Sequence, residues 1–301
     1  MVNLKQIEAF VSVSDLGTFR RAADRLNTTQ PNISIRIAQL EEHLGVALME
    51  RDAGSVRLTA IGQSLLDPAR AVLSSIDKFV AAVGDEELFE GVLRLGVSEM
   101  VAHTWLRPFL IEMKQRFPHV NVELTVDLSV SLSRALFARE LDLVFQSGPF
   151  DRKAKSSVLL GHSPYVWVAA PSLGLPTEKL KAADLLHFSI LTHRRGTVPF
   201  QQLEEHFRKS KRQVRLVPSS NIAACLQMAE DGLGVACLPQ AMLTKSLEAK
   251  RLQKLNYHWQ PADLHFEARY MLDPAPVYLR AAAAIAQKLS PPENNKTGFI
   301  R

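Results

Sequence analysis

The chain has 301 residues, 47% of them apolar and 22% charged, which is typical of a globular protein of about two domains. Its formal net charge of +5 permits an anionic partner without requiring one. The sequence contains no run of about 18 apolar residues and begins without the layout of a signal peptide, so we expect a cytoplasmic protein that does not bind a membrane.

The cysteine content argues against a metal site. Cys225 and Cys237 fit a reducing compartment, and their spacing matches no metal-binding motif. A redox pair is an alternative, but the apolar run around Cys237 favours buried thiols. We therefore predict no metal and no cofactor.

Three short helices are predicted at the start of the chain. The segments NLKQIEAFVSVS and TFRRAADRLN form the first two, with Thr18 as the N-cap of the second. The third lies in TTQPNISIRIAQLEEHLG, where Ile33, Ile37, Leu40 and Leu44 recur at spacings of four, three and four. This spacing predicts a face that is buried in a core.

The opposite face of the third helix begins with short polar side chains rather than Lys and Glu. Gln30 and Asn32 are amides that can pair with adenine edges, and Ser34 can donate or accept a hydrogen bond. Two helices joined by a short turn form a helix-turn-helix, whose second helix enters the DNA major groove. A generic hairpin of two helices is the alternative. The residues predicted to contact DNA from this helix are Gln30, Pro31, Asn32, Ser34, Ile35 and Arg36.

The segment LMERDAGSVRLT predicts two short strands around a turn at Gly54 and Ser55. Such a hairpin is the wing of a winged helix-turn-helix, and Arg51 would meet phosphates there, although a solvated hairpin is the alternative. Seven basic and seven acidic side chains cancel within residues 1–59. A single copy should therefore bind DNA weakly, and a dimer more tightly.

A long helical pattern follows from Thr59 to about Glu87. Its apolar positions are spaced 4, 3, 4, 3 and 4, which is a heptad seam, and they are Leu65, Ala69, Val72, Ile76, Phe79 and Val83. A helix packed on its own domain would show a broader stripe, so we predict dimerisation through Leu65, Val72, Ile76 and Phe79. Packing of the seam within one chain is the alternative.

These segments together resemble the LysR-type transcriptional regulators. The similar residues are Phe19, Ala22 and Ala23 in the second helix, the Gln-Pro-x-x-Ser that opens the third, the Leu-Glu-x-x-Leu-Gly that closes it, and RLTAIGQSLL thereafter. The resemblance covers nearly the whole chain. It implies a sequence-specific DNA-binding regulator of transcription, not an enzyme, whose promoter occupancy responds to a small-molecule effector. Its other implied partners are double-stranded DNA, further copies of itself in a homodimer or homotetramer, and RNA polymerase.

The fold class implied is an α+β multidomain protein. A winged helix-turn-helix would occupy residues 1–59 and a long linker helix residues 60–88. An effector domain of two α/β lobes, like a periplasmic binding protein, would occupy residues 91–290, and residues 291–301 would form a disordered tail.

Strands and helices alternate after residue 91, and ligands bind beyond the carboxyl ends of parallel strands. Polar residues that follow predicted strands, or that open the next helix, are Ser98, Ser129, Gln146, Ser147, Thr192, His193 and Thr197. Each hydroxyl has a simple helix cap as its alternative. The resemblance implies that Ser98 and Thr197 touch effector. Glu99 is included as a neighbour, although its carboxylate would repel an anionic ligand unless it points away.

Two other classes of protein are alternatives, an enzyme and a solute-binding protein. An enzyme is disfavoured because the sequence has no Ser-x-x-Lys, no Gly-x-Ser-x-Gly, no phosphate loop and no zinc spacing. A solute-binding protein is disfavoured by the first sixty residues and by the lack of a signal peptide.

Overall fold

The structure is a computed structural model that describes residues 1–52, 55–81, 88–176, 178–208, 214–272 and 275–290. Three predictions fall outside these residues: the turn at Gly54, the seam position Val83 and the tail 291–301.

A winged helix-turn-helix begins the chain. Its elements are α1 (Leu4–Leu16), α2 (Phe19–Arg25), α3 (Gln30–Leu44), β1 (Met49–Asp52) and β2 (Ser55–Leu58), and the two strands pair antiparallel. The side chain of Asn3 accepts a hydrogen bond from the Gln6 N–H at the start of α1, and Gly17, in the left-handed conformation, ends that helix. Its core includes Phe10, Ala22 and Ile33.

The predicted buried stripe of α3 is confirmed for three of its four residues. Ile33, Ile37 and Leu40 are buried, whereas Leu44 is 42% exposed. The prediction for Leu44 is wrong because it is the last residue of the helix, and the chain turns away at Gly45 in the left-handed conformation.

The linker helix α4 (Ala60–Ala81) starts at a close contact with the first domain. The Thr59 hydroxyl accepts a hydrogen bond from the Gly62 N–H at 2.9 Å and donates one to the Ala47 carbonyl at 2.8 Å. A Cβ added at Gly62 would lie 2.1 Å from the Leu48 carbonyl oxygen. The glycine therefore lets the helix backbone touch the backbone of Leu48, the residue that precedes β1.

Replacing Gly62 with alanine should lower the free energy of unfolding of the DNA-binding domain by about 2–3 kcal/mol, because the clash is with backbone rather than with a movable side chain. Urea denaturation of the Gly62→Ala variant measures this loss. The exposed neighbour Gln63, changed to alanine, is the control and should behave as wild type. Equal stability of the two variants would contradict the close contact.

The first lobe of the second domain is a five-stranded sheet in the order β4-β3-β5-β12-β6. Its strands are β3 (Gly91–Val97), β4 (Val120–Val126), β5 (Leu143–Ser147), β6 (Ser156–Ser163) and β12 (Leu264–Tyr270). Its helices are α5 (Glu99–His103), α6 (Leu106–Arg116), α7 (Ser129–Phe137) and α12 (Val277–Leu289). β3 pairs parallel with β4 and β5, whereas β12 runs antiparallel to β5 and β6.

The second lobe is a five-stranded sheet in the order β11-β7-β10-β8-β9. Its strands are β7 (Tyr165–Ala169), β8 (Ile190–His193), β9 (Leu216–Ser219), β10 (Val235–Pro239) and β11 (Gln253–Lys254). Its α-helices are α8 (Ala182–Leu185), α9 (Val198–Phe207), α10 (Ile222–Glu230) and α11 (Thr244–Glu248), with 3-10 turns at Pro171–Leu173 and Gln240–Met242.

The chain crosses between the lobes twice, after β6 and before β12. One hydrophobic core includes Phe145 and Phe266 from the first lobe and Leu191 and Ile222 from the second, so the two sheets are packed together. The α+β multidomain architecture predicted from the sequence is confirmed. In the part of the chain that the structure describes, no helix has the length and apolar character needed to cross a bilayer.

Candidate DNA-binding surface and ligand cleft

The first turns of α3 present the polar face that the sequence predicted. Gln30, Pro31 and Asn32 are exposed, Ser34 is half-buried and Ile35 is 53% exposed. The Asn32 amide donates to the Thr28 hydroxyl at 3.1 Å, an exposed bond that DNA could replace. The N-cap residue of α3 makes no side-chain cap bond, so the helix presents free N–H groups, which attract phosphates.

Two more residues were predicted to contact DNA, Arg36 and Arg51. Arg36 is half-buried on α3. The backbone of Arg51 pairs with Val56 in the hairpin, while its side chain lies outside the described residues. The wing is joined to α1 because the Val56 N–H donates to the Gly17 carbonyl at 3.3 Å.

The seam of α4 divides into two parts. Leu65 and Ala69 pack against the core of the first domain. Val72, Ile76 and Phe79 are exposed, and Phe79 is 77% exposed. A row of large apolar side chains in water is costly, so these three residues are the part of the seam available to a second copy.

The residues of the first lobe that were predicted to bind ligand lie together where β3 and β5 end. The Ser98 N–H donates to the Phe145 carbonyl at 2.9 Å, which places Ser98 beside Gln146. Ser129 opens α7, and its hydroxyl lies 3.2 Å from the Ser147 hydroxyl and accepts from the Ser147 N–H at 3.2 Å. Gln146 and Ser147 were expected to follow β5, but they are its last two residues, since both still pair with β12.

Three buried side chains here have polar atoms without a partner. They are the Ser98 hydroxyl, the Thr192 hydroxyl, and both the amide nitrogen and oxygen of Gln146. Ser98 is the N-cap residue of α5 but its side chain makes no cap bond. Unpartnered buried polar atoms cost free energy, and a ligand that bonded to them would recover it.

Glu99 bridges the two lobes. Its carboxylate accepts hydrogen bonds from the backbone N–H of Ile222 at 2.9 Å and of Ala223 at 3.2 Å, which are the first residues of α10. The His103 imidazole lies 3.7 Å away. The carboxylate therefore points at the other lobe's helix dipole, a favourable position.

The remaining predicted residues lie in the second lobe. Thr192 and His193 were expected after β8 but are its last two residues. The His193 Nε2 lies 2.9 Å from the Tyr165 hydroxyl, and burial lowers the pKa of His193 to about 4, so it is neutral near pH 7. The Thr197 hydroxyl donates to the Arg194 carbonyl at 2.8 Å, and no contact joins it to the unpartnered group among the described residues.

The free energy of unfolding should fall as pH falls from 6.5 towards 4, because unfolded His193 binds a proton that the folded protein resists. Between pH 7 and pH 5 this group should account for about 2 kcal/mol. Urea denaturation at both pH values measures the loss, which the His193→Asn variant should lack. The exposed His43, changed to asparagine, should keep the wild-type dependence; an unchanged dependence in His193→Asn would contradict the burial.

Sequence reasoning missed several groups that contact the predicted ligand residues. They are the N–H groups of Ile222 and Ala223, which donate to Glu99, and the Tyr165 hydroxyl beside His193. The Asn221 side chain, which accepts from the Ala224 N–H at 2.8 Å, caps α10. Asn221 is a residue type that caps helices and it precedes an apolar run, so the start of α10 could have been predicted from the sequence.

Comparison with known families decides the identity of the chain. The family model described as "LysR substrate binding domain" matches residues 86–282, and that described as "Bacterial regulatory helix-turn-helix protein, lysR family" matches residues 4–63. The chain belongs to the LysR family. This LysR-family protein is therefore a DNA-binding transcriptional regulator with an effector-binding domain, and not an enzyme.

The match between this LysR-family protein and curated regulators covers most of the length of both chains. A "Probable hydrogen peroxide-inducible genes activator" of Mycobacterium leprae is 29% identical over 239 residues, which cover 78% of this chain and 77% of that protein. The "RuBisCO operon transcriptional regulator" of Allochromatium vinosum is 26% identical over 265 residues, 86% of this chain and 87% of that protein.

Solved structures share the fold. Full-length LysG from Corynebacterium glutamicum with bound effector Arg superposes with a TM-score of 0.59 at 21% identity, covering 96% of this chain and 100% of that one. CrgA, a LysR-type transcriptional regulator from Neisseria meningitidis, gives a TM-score of 0.54 at 22% identity, covering 96% of this chain and 99% of that one.

Proposed function

We propose that this regulator reads DNA through the first turns of α3 and senses a small molecule in the cleft between its two lobes. The single observation that carries the proposal is the group of unpartnered polar atoms on buried Ser98, Gln146 and Thr192, at strand ends of both lobes. The other residues that we place in the cleft are Glu99, Ser129, Ser147, His193 and Thr197.

The ligand would be a small molecule with both hydrogen-bond donors and acceptors. The Gln146 side chain offers an amide nitrogen and an oxygen that are both unused, and each hydroxyl can act either way. A ligand that bonds to both lobes binds one arrangement of the lobes better than others, and this difference is what shifts DNA occupancy.

Self-association would bring two DNA-binding domains together. The exposed seam of Val72, Ile76 and Phe79 would join two copies, and two such dimers would form a homotetramer on the halves of an interrupted palindrome. The protein would work in the cytoplasm, where its DNA is, with RNA polymerase as a further partner.

DNA-affinity sequencing with the purified full-length protein tests the proposal. A genomic library should yield a sequence with two half-sites related by a two-fold axis. Recovery of random fragments, or of a single unpaired half-site, would contradict the proposed mode of DNA reading.

Replacing Ser98 with alanine should weaken the response to inducer while the free energy of unfolding stays the same or rises by about 1 kcal/mol, because the lost hydroxyl has no partner. A promoter-reporter titration, with an inducer found by a metabolite screen, measures the response. The control is Ser246→Ala, outside the predicted ligand residues, which loses a hydrogen bond to the Glu230 carboxylate and should cost about 1 kcal/mol of stability while the response to inducer is unchanged. A wild-type titration curve for Ser98→Ala would remove Ser98 from the ligand site.

A further inference from the structure

The DNA-binding domain is docked on the first lobe of its own chain through arginines of α2. The Arg21 guanidinium donates to the Ala138 carbonyl at 2.9 Å and lies 3.0 Å from the Glu140 carboxylate. The Ala138 carbonyl is at the C-terminal end of α7, where unpaired carbonyls carry the negative pole of the helix. A cation is therefore favoured at this position.

Arg25 makes the more buried half of this docking contact. It pairs with Asp142, which is 4% exposed, and donates to the Arg139 carbonyl at 3.2 Å. The other oxygen of Asp142 accepts from the Arg94 N–H at 2.9 Å, and the Arg94 guanidinium donates to the Arg25 carbonyl at 3.3 Å. Asp142 keeps its hydrogen bond from the Arg94 N–H within the lobe, but its ion pair with Arg25 exists only while the two domains are docked.

A second ion cluster lies beside the first. Asp15, at the end of α1, bonds to Arg70 of the linker helix at 2.5 Å and lies 4.0 Å from the Arg139 guanidinium of the lobe. Arg139 also donates to the Met271 carbonyl at 2.9 Å. Burial lowers the pKa of the Arg139 guanidinium, a sign that the contact is partly dry.

The interface is not fully packed. A cavity of about 160 Å³ lies between the domains, walled by apolar side chains that include Val11 and Leu26 on one side and Leu141 and Met271 on the other. An interface whose polar contacts surround an unfilled cavity costs less free energy to separate than a close-packed core.

Two elements of the first lobe run from the ligand cleft to this docking contact. Helix α7 begins at Ser129 in the cleft and ends before Ala138, which binds Arg21. Strand β5 follows Asp142, which binds Arg25, and ends at Ser147 in the cleft. They span about 13 Å and about 16 Å, respectively.

We infer that Arg21 and Arg25 form an intramolecular clasp through which α7 and β5 couple the ligand cleft to the orientation of the DNA-binding domain. The clasp is not a block on DNA binding, because Gln30, Pro31 and Asn32 stay exposed when it is closed. The coupling rests on the proposed function, whereas the docking itself does not. A shift of the strand end or helix end at the cleft would change the angle at which α3 is presented.

Hydrogen exchange of the full-length protein tests the docking. The amides of Ala138 and Glu140 are bonded to carbonyls within their own turn, so their exchange reports local opening. Arg25→Ala and Arg21→Ala should each raise exchange across residues 12–16 and 138–142 by about threefold or more. Exposed Arg20, changed to alanine, removes the same charge from the same helix and should leave both segments unchanged.

Hydrogen exchange in strands β3 and β5 distinguishes loss of the docking contact from unfolding of the lobe. Their exchange should stay at the wild-type rate in Arg21→Ala, whose partner Glu140 is already exposed. Wild-type exchange of residues 12–16 and 138–142 in both clasp variants would overturn the docking. Faster exchange throughout the lobe in Arg21→Ala would reassign the arginine to lobe stability and overturn it as well.

The coupling is tested with DNA as the probe, because coupling between two sites is reciprocal. A fragment selected by DNA-affinity sequencing, at saturation, should change exchange at residues 98–103 and 146–148 in wild type, and by less than half as much in Arg21→Ala. Equal changes in both proteins, or none in wild type, would overturn the coupling. If no sequence is selected, the proposed function fails while the docking measurement stands.

Discussion

Replacing Ile76 with aspartate should dissociate the regulator and reduce its affinity for specific DNA at least a hundredfold. Ile76 lies in the exposed seam of α4 with Val72 and Phe79. A carboxylate buried there between two copies would be unpaired, at a cost of several kcal/mol. Since the DNA-binding domain has no net charge, one copy alone binds too few phosphates to compensate.

Sedimentation velocity and fluorescence anisotropy with labelled operator DNA measure the two effects. The control is Ala71→Asp, which adds the same charge at an exposed position of the same helix away from the seam. It should keep the wild-type mass and affinity. A seam variant that keeps both as well would mean that α4 does not carry the dimer.

Replacing Gln30 with alanine should cost about 1–3 kcal/mol of affinity for specific DNA in each half-site and much less for random DNA. Gln30 is the first residue of α3, and its amide is exposed. A long amide at that position can pair with an adenine edge in the major groove, whereas alanine can offer only apolar contact.

Competition binding at fixed salt, with the selected DNA and with random DNA, measures the loss of affinity for each. Gln39→Ala is the matched control, because Gln39 lies nine residues further along the same helix, where its amide oxygen accepts from the Gln6 side chain at 3.3 Å. It should bind both DNAs as wild type does. An equal loss on both DNAs for Gln30→Ala would show that Gln30 positions the helix and reads no base.

The helices of the first domain could be predicted closely because their signals are local. Apolar spacing locates Ile33 and Ile37, and the cap at Thr18 accepts from the Arg21 N–H, so the start of α2 is readable from neighbouring residues. The exposure of Leu44 could not be read in this way, because the pattern does not indicate where the packed neighbours end.

The cleft could be predicted only in outline. Ser98, Ser129, Gln146 and Ser147 were identified from strand ends, but the bond from Glu99 to Ile222 joins residues 123 positions apart. The clasp was not predicted at all, since Arg25 contacts residues 114 and 117 positions away. Arginines on an amphipathic helix are normally solvated, and no periodic pattern distinguishes those that bind a distant turn.

The bond from Glu99 to the start of α10 sets a condition on any acidic effector. A ligand carboxylate that binds the N–H groups at the start of α10 must displace the Glu99 carboxylate. Because Glu99 is tethered to the same chain, its effective concentration at those N–H groups is on the order of millimolar or higher. Such a molecule has to outcompete the protein's own side chain before it gains any affinity. Neutral or cationic molecules would meet no such competitor, so a ligand site at this position would favour molecules that leave the Glu99 carboxylate in place.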